Sequence, residues 1–514
     1  MNWLLIPIGL LYFLISGALF IFGANFIYLS LRTWREGRRS EPVPKMMEWP
    51  KVTVQLPIFN EMYVAERVIE AAVKLDYPPE LLQIQVLDDS TDETKEIAAR
   101  IVSRFQQQGV NIIHIHRSDR SGYKAGALQE GMTSATGEFM AIFDADFVPP
   151  VDFLRKALPY LNEPDVAFVQ TRWGHINRDY SWLTFLQSLA IDAHFMVEQF
   201  ARSRAGYWFN FNGTAGIWRR EAMEDAGGWK ADTLTEDLDI SYRAYLRGWR
   251  GRYVRDIVVP AELPVSFSAY RRQQHRWARG SLECAIKLGP QVWRAPVPLM
   301  QKIQATLHLS GYSVHLLLFA LTILYPLVVL FTADYVRFST LYGFAYLFVL
   351  TSIAPTLFFV VGQQQLGRPW WRLLPKILAI SVVGSGLMMN TVRAAWQIVR
   401  KRENIFERTA KFGIKRREQD WTKQRYQLRF DPIVYPEILL GLYSLAAVWL
   451  AVSLESWGIA LYALLFGSGL LFVALVTIGQ TTAVYRSRKA RAARQQAENR
   501  WAAGKGLQEL GETV

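Results

Sequence analysis

Four groups of polar residues in the middle of the chain have the types and the spacing of a chemical site. Three groups are acidic and the fourth combines an amide, a cation and an indole: Asp88-Asp89, Asp144-Ala145-Asp146, Thr235-Glu236-Asp237 and Gln273-Gln274-His275-Arg276-Trp277. Carboxylate oxygens are the ligands that hard divalent cations prefer, and arginine pairs with phosphate oxygens. Gln273, Arg276 and Trp277 share one helical face. These residues predict a clamp for an anionic leaving group beside an aromatic platform for a sugar ring.

The acidic groups also have plainer interpretations. An Asp-x-Asp triplet such as Asp144 to Asp146 occurs about once by chance in a chain of this size, and it can simply form a solvated turn. Ser90 or Thr91 could cap a helix with acidic residues in its first turn. Capping does not explain Asp88 and Asp89, which precede the cap and could accept hydrogen bonds from a base or a ribose hydroxyl.

Two further groups leave similar alternatives open. The small-residue turn around Lys124 (121–127) is either an ordinary loop or a phosphate contact made by the lysine and nearby backbone N–H groups. Asp237 either caps a helix or acts as a general base beside an acceptor hydroxyl. If the reaction is transfer of a sugar from a nucleoside diphosphate to that hydroxyl, one base is enough. A metal ion and cationic side chains can stabilise the departing diphosphate in place of a general acid.

The segment that carries these groups alternates short apolar runs with helical patterns. Strands are predicted at 52–56, 84–87, 112–116, 139–143 and 167–170, and helices at 61–75 and 93–107. This alternation predicts a largely parallel sheet covered by helices on both faces. Because ligands bind at the carboxyl ends of such strands, Asp88-Asp89 and Asp144/Asp146 should converge at one edge of the sheet.

Bulk properties indicate a soluble domain joined to membrane spans. The chain has 514 residues, 51% of them hydrophobic, and a net charge of +13. Its basic residues stand beside the apolar runs, which is the positive-inside pattern of membrane proteins and excludes nucleic acid as a partner. The single cysteine, Cys284, excludes an internal disulfide and a cysteine-rich zinc site.

The apolar runs and the basic loops divide the chain into seven predicted segments. They are an N-terminal transmembrane helix (1–31), a basic cytoplasmic linker (32–50), the α/β domain (51–290), a membrane segment (291–400), a cytoplasmic loop (401–430), two transmembrane helices (431–482) and a basic, flexible cytoplasmic tail (483–514). Within 291–400, spans are predicted at about 306–331 and 339–361, and an interfacial or re-entrant helix at about 374–400. The charge pattern predicts an integral membrane protein whose α/β domain faces the cytoplasm.

The motifs together resemble the inverting family 2 glycosyltransferases of GT-A fold, a Rossmann-like α/β fold, in the branch of cellulose, hyaluronan and mannan synthases. That branch carries D, DxD, TED and QxxRW in the order found here. The sequence around the motifs is similar to that of cellulose-synthase-like A and C proteins. The shared segments are Leu-Pro-x-x-Asn-Glu (56–61), Gly-Tyr-Lys-Ala-Gly (122–126), Phe-Asp-Ala-Asp-Phe (143–147) and Phe-Asn-Gly-Thr-Ala-Gly (211–216). Residues 406–411 look like the gating loop of cellulose synthase, with Arg408 in place of a valine.

The resemblance implies roles for individual residues. Catalysis falls to Asp237 and Glu236, and the metal ion, Mg²⁺ or Mn²⁺, to Asp144 and Asp146. The donor nucleotide-sugar is implied to contact Pro57, Asn60, Glu61, Asp88, Asp89, Lys124, Asp144, Gln273, Arg276, Thr409 and Lys411. The acceptor is implied to contact Trp277, Phe211, Asn212, Gly213 and Thr214.

The sequence therefore predicts a membrane-bound inverting glycosyltransferase that extends a β-linked polysaccharide from UDP-glucose or GDP-mannose. The alternative within enzymes is a single transfer to a lipid acceptor, because the chain has fewer predicted spans than cellulose synthase. A third interpretation is a transporter or membrane-bound binding protein that only senses a nucleotide. The spans contain few charged residues, which argues against this interpretation. The partners in all cases include the lipid bilayer.

Overall fold

The computed structural model describes residues 5–37, 42, 44–46, 48–334, 349–403, 406–426 and 430–511. A seven-stranded sheet forms its α/β domain, with strands β1 (Val52–Ile58), β2 (Leu82–Asp88), β3 (Ile112–His116), β4 (Phe139–Ile142), β5 (Val166–His175), β6 (Gly216–Arg219) and β7 (Arg250–Ala261). The strand order is β3-β2-β1-β4-β6-β5-β7. Only β6 runs against its neighbours, β4 and β5. The predicted α/β class and the largely parallel sheet are confirmed.

Strands β1, β2 and β4 are buried along almost their whole length, whereas in the edge strand β3 only Ile112 is fully buried. Every residue of β2 and of β4 is buried, as expected for strands covered by helices on both faces. The helices of this domain are Ala65–Val73, Thr94–Gln107, Tyr123–Ser134, Phe153–Ala157, Trp182–Ala193, Phe200–Arg204, Arg220–Asp225 and Glu236–Leu246, with a π-helical turn at His194–Gln199 and 3₁₀ turns at Pro79–Leu81 and Leu158–Leu161.

One long helix precedes the α/β domain, and a series of helices follows its last strand. They are Leu5–Glu36, Phe267–Arg294, Leu299–Leu309, Ser313–Asp334, Ala354–Gln365, Trp370–Gly386, Met388–Val399, Val434–Ser453 and Trp457–Gly511, with 3₁₀ turns at Leu350–Ile353 and Trp421–Lys423. By length and composition, five helical stretches of the described residues could cross a membrane: Pro7–Glu36, Ser313–Leu330, Trp370–Val399, Val434–Ser453 and Trp457–Ala490.

The membrane segments predicted from the sequence coincide only in part with the described helices. Residues 339–348 of the span predicted at 339–361 lie outside the described part of the chain, and the rest of that span falls on the 3₁₀ turn Leu350–Ile353 and the start of the helix Ala354–Gln365. The stretch predicted as interfacial or re-entrant, 374–400, forms two consecutive helices that together are long enough to span. Its mode of insertion stays a prediction. The last helix continues to Gly511, past the predicted tail boundary at 482.

The helix Phe267–Arg294, which carries Gln273, Arg276 and Trp277, is called the clamp helix below. Ser266 caps its start, because the Ser266 side chain accepts a hydrogen bond from the backbone N–H of Ala269. Near that start, Arg271 forms a fully buried, bidentate ion pair with Glu437 (2.8 and 3.1 Å) and donates to Thr477 Oγ1 at 3.0 Å. The clamp helix is thereby tied to the helices Val434–Ser453 and Trp457–Gly511.

We predict that Arg271→Met lowers the melting temperature of the detergent-solubilised protein strongly, because it leaves the Glu437 carboxylate buried without its partner. Losing one member of a buried pair costs about 3–5 kcal/mol, whereas replacing both members by apolar residues is often neutral. Arg271→Met combined with Glu437→Leu should therefore recover most of the loss in Tm.

The neighbouring Arg272 provides the matched control. Its partner Glu407, at 2.5 Å, is 55% exposed, and exposed pairs contribute at most about 1 kcal/mol. Equal losses of Tm in Arg271→Met and Arg272→Met would contradict a special role for the buried pair.

Candidate active site

A cavity lies at the carboxyl ends of β1, β2 and β4, where the sequence predicts that the acidic groups converge. The chain segments after these strands contribute Glu61, Asp89, Asp144 and Asp146 to its wall. The start of the helix Glu236–Leu246, the clamp helix and the loop 406–411 close the other sides. The site therefore lies between the α/β domain and the helices that follow it.

Most of the residues predicted to form the site line this cavity, and four do not. Those on its wall are Pro57, Glu61, Asp89, Lys124, Asp144, Asp146, Asn212, Gly213, Glu236, Asp237, Gln273, Arg276, Trp277, Thr409 and Lys411. Asn60, Asp88, Phe211 and Thr214 are absent from the described wall. Phe211 and Thr214 are buried behind it, and Thr214 Oγ1 accepts a hydrogen bond from the backbone N–H of Asp144 at 2.9 Å.

Asp144 is held by a lysine that also supports the neighbouring turn. Lys124 Nζ lies 2.5 Å from Asp144 Oδ1 and donates to the carbonyl of Gly213 at 3.0 Å. Burial raises the pKa of Asp144, and the ammonium of Lys124 opposes that rise. The same ammonium lies 3.9 Å from Glu236, so one cation serves two carboxylates.

Asp146 is held by the loop that follows the membrane helices. Lys411 Nζ lies 2.6 Å from Asp146 Oδ2 and also donates to the carbonyl of Glu262. The Glu262 carboxylate accepts from the backbone N–H of Phe412 at 2.9 Å and from Arg67 at 3.3 Å. The loop is thus bound to the end of β7 as well as to the acidic pair.

Arg408 makes the second contact between the loop and the α/β domain. It forms an ion pair with Glu61 at 3.1 Å and donates to the carbonyls of Phe59 and Asn60. Burial raises the pKa of Glu61 to about 8. The Glu61 carboxyl therefore takes up a proton more readily than an ordinary glutamate, and the Arg408 guanidinium opposes this.

Asp237 has the protonation behaviour of a general base. Burial, and next the charge of Glu236, raise its pKa to about 7, while Lys124 opposes the rise. Asp237 Oδ1 accepts a hydrogen bond from the backbone N–H of Leu238 at 2.9 Å. A base is most effective when its pKa lies near the working pH, so Asp237 is suited to accept a proton inside this cavity.

Asp89 lies at the far end of the cavity, fixed by a planar ion pair. Arg117 donates to both of its oxygens, at 2.8 and 2.6 Å. Arg120, whose guanidinium lies 3.5 Å from the ring centroid of Phe59, also lines the cavity. An adjacent aromatic ring and fixed carboxylate can recognise a nucleoside.

Several wall residues are not singled out by the sequence motifs. They are Phe59, Arg120, Trp173, His175 and Glu262, whereas the wall residues Phe406 and Arg408 belong to the gating-loop motif. Phe406 packs between Tyr123, at a centroid distance of 5.9 Å, and Arg276, which lies 4.3 Å from the ring centre. A predicted strand at 250–261 would have pointed to Glu262, which follows its end.

Asp144 and Asp146 have the donor chemistry of a site for a hard divalent cation. Both offer carboxylate oxygens, and both are now neutralised by a lysine ammonium. The two carboxylates fit such an ion. Its positive charge would take the place of the charge that the two lysines supply in this structure. An ion bound at Asp146 would compete with Lys411 for the carboxylate.

The segment that carries most of this site is similar to known proteins. Residues 50–280 match the model of the family described as "Glycosyltransferase like family 2". The chain is 44% identical over 252 residues to glucomannan 4-beta-mannosyltransferase 7 of Arabidopsis thaliana, covering 48% of this chain and 45% of that protein. It is 38% identical over 371 residues to probable glucomannan 4-beta-mannosyltransferase 2 of Oryza sativa subsp. japonica, covering 70% and 63%.

The chain spans about half of the length of the curated relatives that it matches. Among solved structures, it is similar to a mannosyltransferase of Pyrobaculum calidifontis in complex with GDP-Man and Mn2+. That likeness has a TM-score of 0.49 and 21% identity, and it covers 76% of this chain and all of the other. The GT-A type of fold that the resemblance implies is confirmed by the mixed seven-stranded sheet and the family match.

We predict that two substitutions change Mn²⁺ binding in opposite directions. Asp146→Asn removes a charged ligand and should weaken binding at least tenfold, since contacts to charged groups contribute about 1.5–3 kcal/mol. Lys411→Gln removes the ammonium that competes for Asp146 and should strengthen binding by a similar factor. Electron paramagnetic resonance of free Mn²⁺ measures both effects without any substrate.

Lys423→Gln is the control, because Lys423 is 68% exposed and pairs with Asp420 rather than with the cavity. It should bind Mn²⁺ as the wild type does. A Lys411→Gln protein with weakened binding would show that Lys411 supports the ion instead of competing with it.

Proposed function

Since residues 50–280 belong to glycosyltransferase family 2, we propose that the chain is a membrane-bound inverting glycosyltransferase that extends a β-linked polysaccharide. The curated relatives are named as glucomannan 4-beta-mannosyltransferases. We infer the same chemistry here, namely transfer of mannose or a related hexose from a nucleoside diphosphate to the 4-hydroxyl of a growing mannan or glucomannan.

One observation carries this proposal. A single cavity contains Asp237 with its raised pKa, the Asp144/Asp146 pair, and the Arg276 and Trp277 side chains of the clamp helix. These are the parts that an inverting transfer needs: a base, a site for charge neutralisation and a platform for a sugar. Each acidic motif taken alone has a plainer explanation. Turns and helix caps do not explain why all of them converge in one cavity.

The reaction requires one proton transfer at the acceptor. Asp237 accepts the proton of the acceptor hydroxyl, and that oxygen attacks the anomeric carbon from the face opposite the nucleotide. The new C–O bond forms as the bond between the anomeric carbon and the phosphate oxygen breaks, so the configuration inverts. Glu236, which helps to raise the pKa of Asp237, keeps the base strong enough for this step.

The leaving nucleoside diphosphate takes the electron pair of the broken bond and departs as an anion. Lys124, Arg276 and Lys411 line the same cavity and lie where they can stabilise that charge. Bound at Asp144 and Asp146, Mg²⁺ or Mn²⁺ would neutralise the diphosphate as a Lewis acid. Thus no general acid is required.

We assign the loop 406–411 to a lid over the donor. Its Lys411 and Arg408 contact the α/β domain from a segment that follows the membrane helices. Donor binding with its metal ion offers new partners to both sides of this contact, which allows the loop to rearrange around the nucleotide. A closed lid excludes water from the transfer.

The acceptor is assigned to the other side of the cavity. Trp277 offers a stacking face, and Asn212 and Gly213 line the wall beside Asp237. Phe211 and Thr214 support this turn from behind. We place the α/β domain in the cytoplasm, where nucleotide-sugars are made, on the positive-inside pattern of the basic loops.

The direct test is turnover of labelled nucleotide-sugars by the purified full-length protein in lipid nanodiscs. GDP-mannose, UDP-glucose and UDP-galactose are supplied one at a time, and the product is sized and digested with linkage-specific glycosidases. A 4-linked β-mannan or glucomannan from GDP-mannose is the expected result. Tight nucleotide binding without turnover of any donor would point to a sensor instead.

We predict that Asp237→Asn lowers transfer by about 10²–10⁴-fold while donor affinity stays nearly unchanged. The substitution keeps the size of the side chain and removes only its ability to accept the proton. Single-turnover rates and nucleotide-sugar binding measure the two effects separately. Asp232→Asn, at an exposed carboxylate that pairs with Lys287 outside the cavity, should keep wild-type rates.

The same residue predicts the acid side of the pH profile. The pKa of Asp237 is raised to about 7, so lowering the pH through that value protonates the base. We expect kcat/KM to fall roughly tenfold per pH unit below about pH 7 and to level off above it. A profile measured from about pH 5 to about pH 9 that stays flat below neutrality would argue against Asp237 as the base.

The length of the product separates the polymer from a single transfer to lipid. We predict that the wild type makes long glycans and that Trp277→Ala shortens them while nucleotide-sugar binding persists, because the terminal sugar loses its stacking platform. Trp293→Ala, in the same helix but 49% exposed and away from the cavity, is the control. A wild-type product that is only a singly glycosylated lipid would favour the alternative acceptor.

A further inference from the structure

Asp88, His114 and His116 form a compact cluster outside the active-site cavity. Their ligand atoms all lie within 4.8 Å of one another. His114 Nε2 is 3.0 Å and His116 Nδ1 is 3.2 Å from the same oxygen, Asp88 Oδ2. Asp88 is fully buried, whereas the side chains of His114 and His116 are 15% and 24% exposed. The cluster therefore has a buried anionic centre and an edge that reaches solvent.

The sheet explains why the three side chains meet. Asp88 at the end of β2 is paired with His116 at the end of the parallel edge strand β3, two residues after His114. Residues two apart on a strand share a face, and directly paired residues share it as well. This placement rests on three residues in regular strands and not on a loop.

The buried carboxylate of Asp88 is shared between the two imidazoles. Among the described residues, Asp88 forms ion pairs only with the two histidines. The other oxygen, Oδ1, accepts a hydrogen bond from the backbone N–H of Ser90 at 2.9 Å. Buried carboxylates in proteins are paired with cations or coordinate metal ions.

We propose that Asp88, His114 and His116 bind a divalent transition-metal ion of the Zn²⁺ type, at a site separate from the Asp144/Asp146 pair. Two imidazole nitrogens and one carboxylate oxygen are a donor set that suits zinc and its neighbours, whose bonds to these atoms are about 2.0–2.2 Å long. Ligand atoms about 3 Å apart, as seen for Asp88 with either histidine, fit around such an ion. The exposed edges of both imidazoles leave room for water as a further ligand.

The site has a structural link to the proposed donor pocket. Each strand end continues directly into an active-site contact: Asp89 follows Asp88, and Arg117 follows His116. Arg117 then binds both oxygens of Asp89. An ion that joins the two strand ends would fix the backbone from which this ion pair extends. The three ligands are therefore positioning residues for Asp89, and none of them touches the reacting atoms.

The test is metal binding by the full-length protein after chelator treatment. Zn²⁺ is titrated against a chromogenic chelator in the presence of excess Mg²⁺, which occupies carboxylate-only sites. The wild type should take up one tightly held Zn²⁺ per chain. His116→Gln and Asp88→Asn should each lower the affinity by about 100-fold or more, since even loss of groups that only orient a ligand costs about 10–100-fold.

His194→Gln is the matched control for casual binding at a histidine–carboxylate pair. His194 Nδ1 lies 3.0 Å from Glu198, and its side chain is 30% exposed. That variant should keep the tight ion. A wild type without a tightly held Zn²⁺, or tight binding that survives both His116→Gln and Asp88→Asn, overturns the proposal and leaves a purely hydrogen-bonded triad.

A second measurement does not depend on the folding of the variants. Co²⁺ substituted into the wild type should give visible absorption bands typical of four or five nitrogen and oxygen ligands, and Zn²⁺ should displace it. Only six-coordinate, weakly absorbing Co²⁺ in the wild type would count against the site. Because neither measurement uses a nucleotide-sugar, failure of this proposal is distinguishable from failure of the proposed transferase function.

Discussion

The need to compensate carboxylates that lie together at one edge of the sheet governs this structure. Glu61, Asp144, Asp146, Asp237 and Glu262 converge there because the segments that bear them leave neighbouring strands at the same edge or follow close by. Buried like charges repel and must either bind protons or acquire cations. The structure uses both solutions. Glu61 and Asp237 take up protons more readily than ordinary carboxyls, and Asp144 and Asp146 each hold a lysine.

The cations come from different parts of the chain, and this joins the fold to the membrane helices. Lys124 belongs to the α/β domain, Arg276 to the clamp helix, and Arg408 and Lys411 to a loop that follows the helices 370–399. The buried Arg271–Glu437 pair holds the clamp helix against two of the long apolar helices. Two of the contacts that hold the loop, Lys411 with Asp146 and Arg408 with Glu61, are ionic. A charged ligand bound in the cavity would therefore change these two contacts.

The sequence predicts those parts of the site whose elements have a simple pattern. Strands β1 to β4 are short, apolar and bounded by polar turns, so their ends, and hence Asp89, Asp144 and Asp146, can be placed in advance. Strand β7 is not predicted because Arg250, Arg252 and Arg255 interrupt its apolar pattern, and each of these arginines pairs with an acidic side chain. Glu262, which follows β7, was missed with it. The contact between Lys411 and Asp146 spans 265 residues, and no local pattern can encode such a pairing.

The acidic pair Asp88-Asp89 shows how strand geometry divides two identical side chains. Successive residues of a strand point to opposite faces. Asp88 still pairs with His116 within the parallel ladder, whereas Asp89 begins the turn and reaches the cavity, where Arg117 fixes it. The motif in the sequence makes both residues candidates for nucleoside binding, but only Asp89 lines the described cavity wall. Asp88 lies with His114 and His116 at the proposed metal site. Because Asp88 directly precedes Asp89, its position also fixes where Asp89 enters the cavity wall.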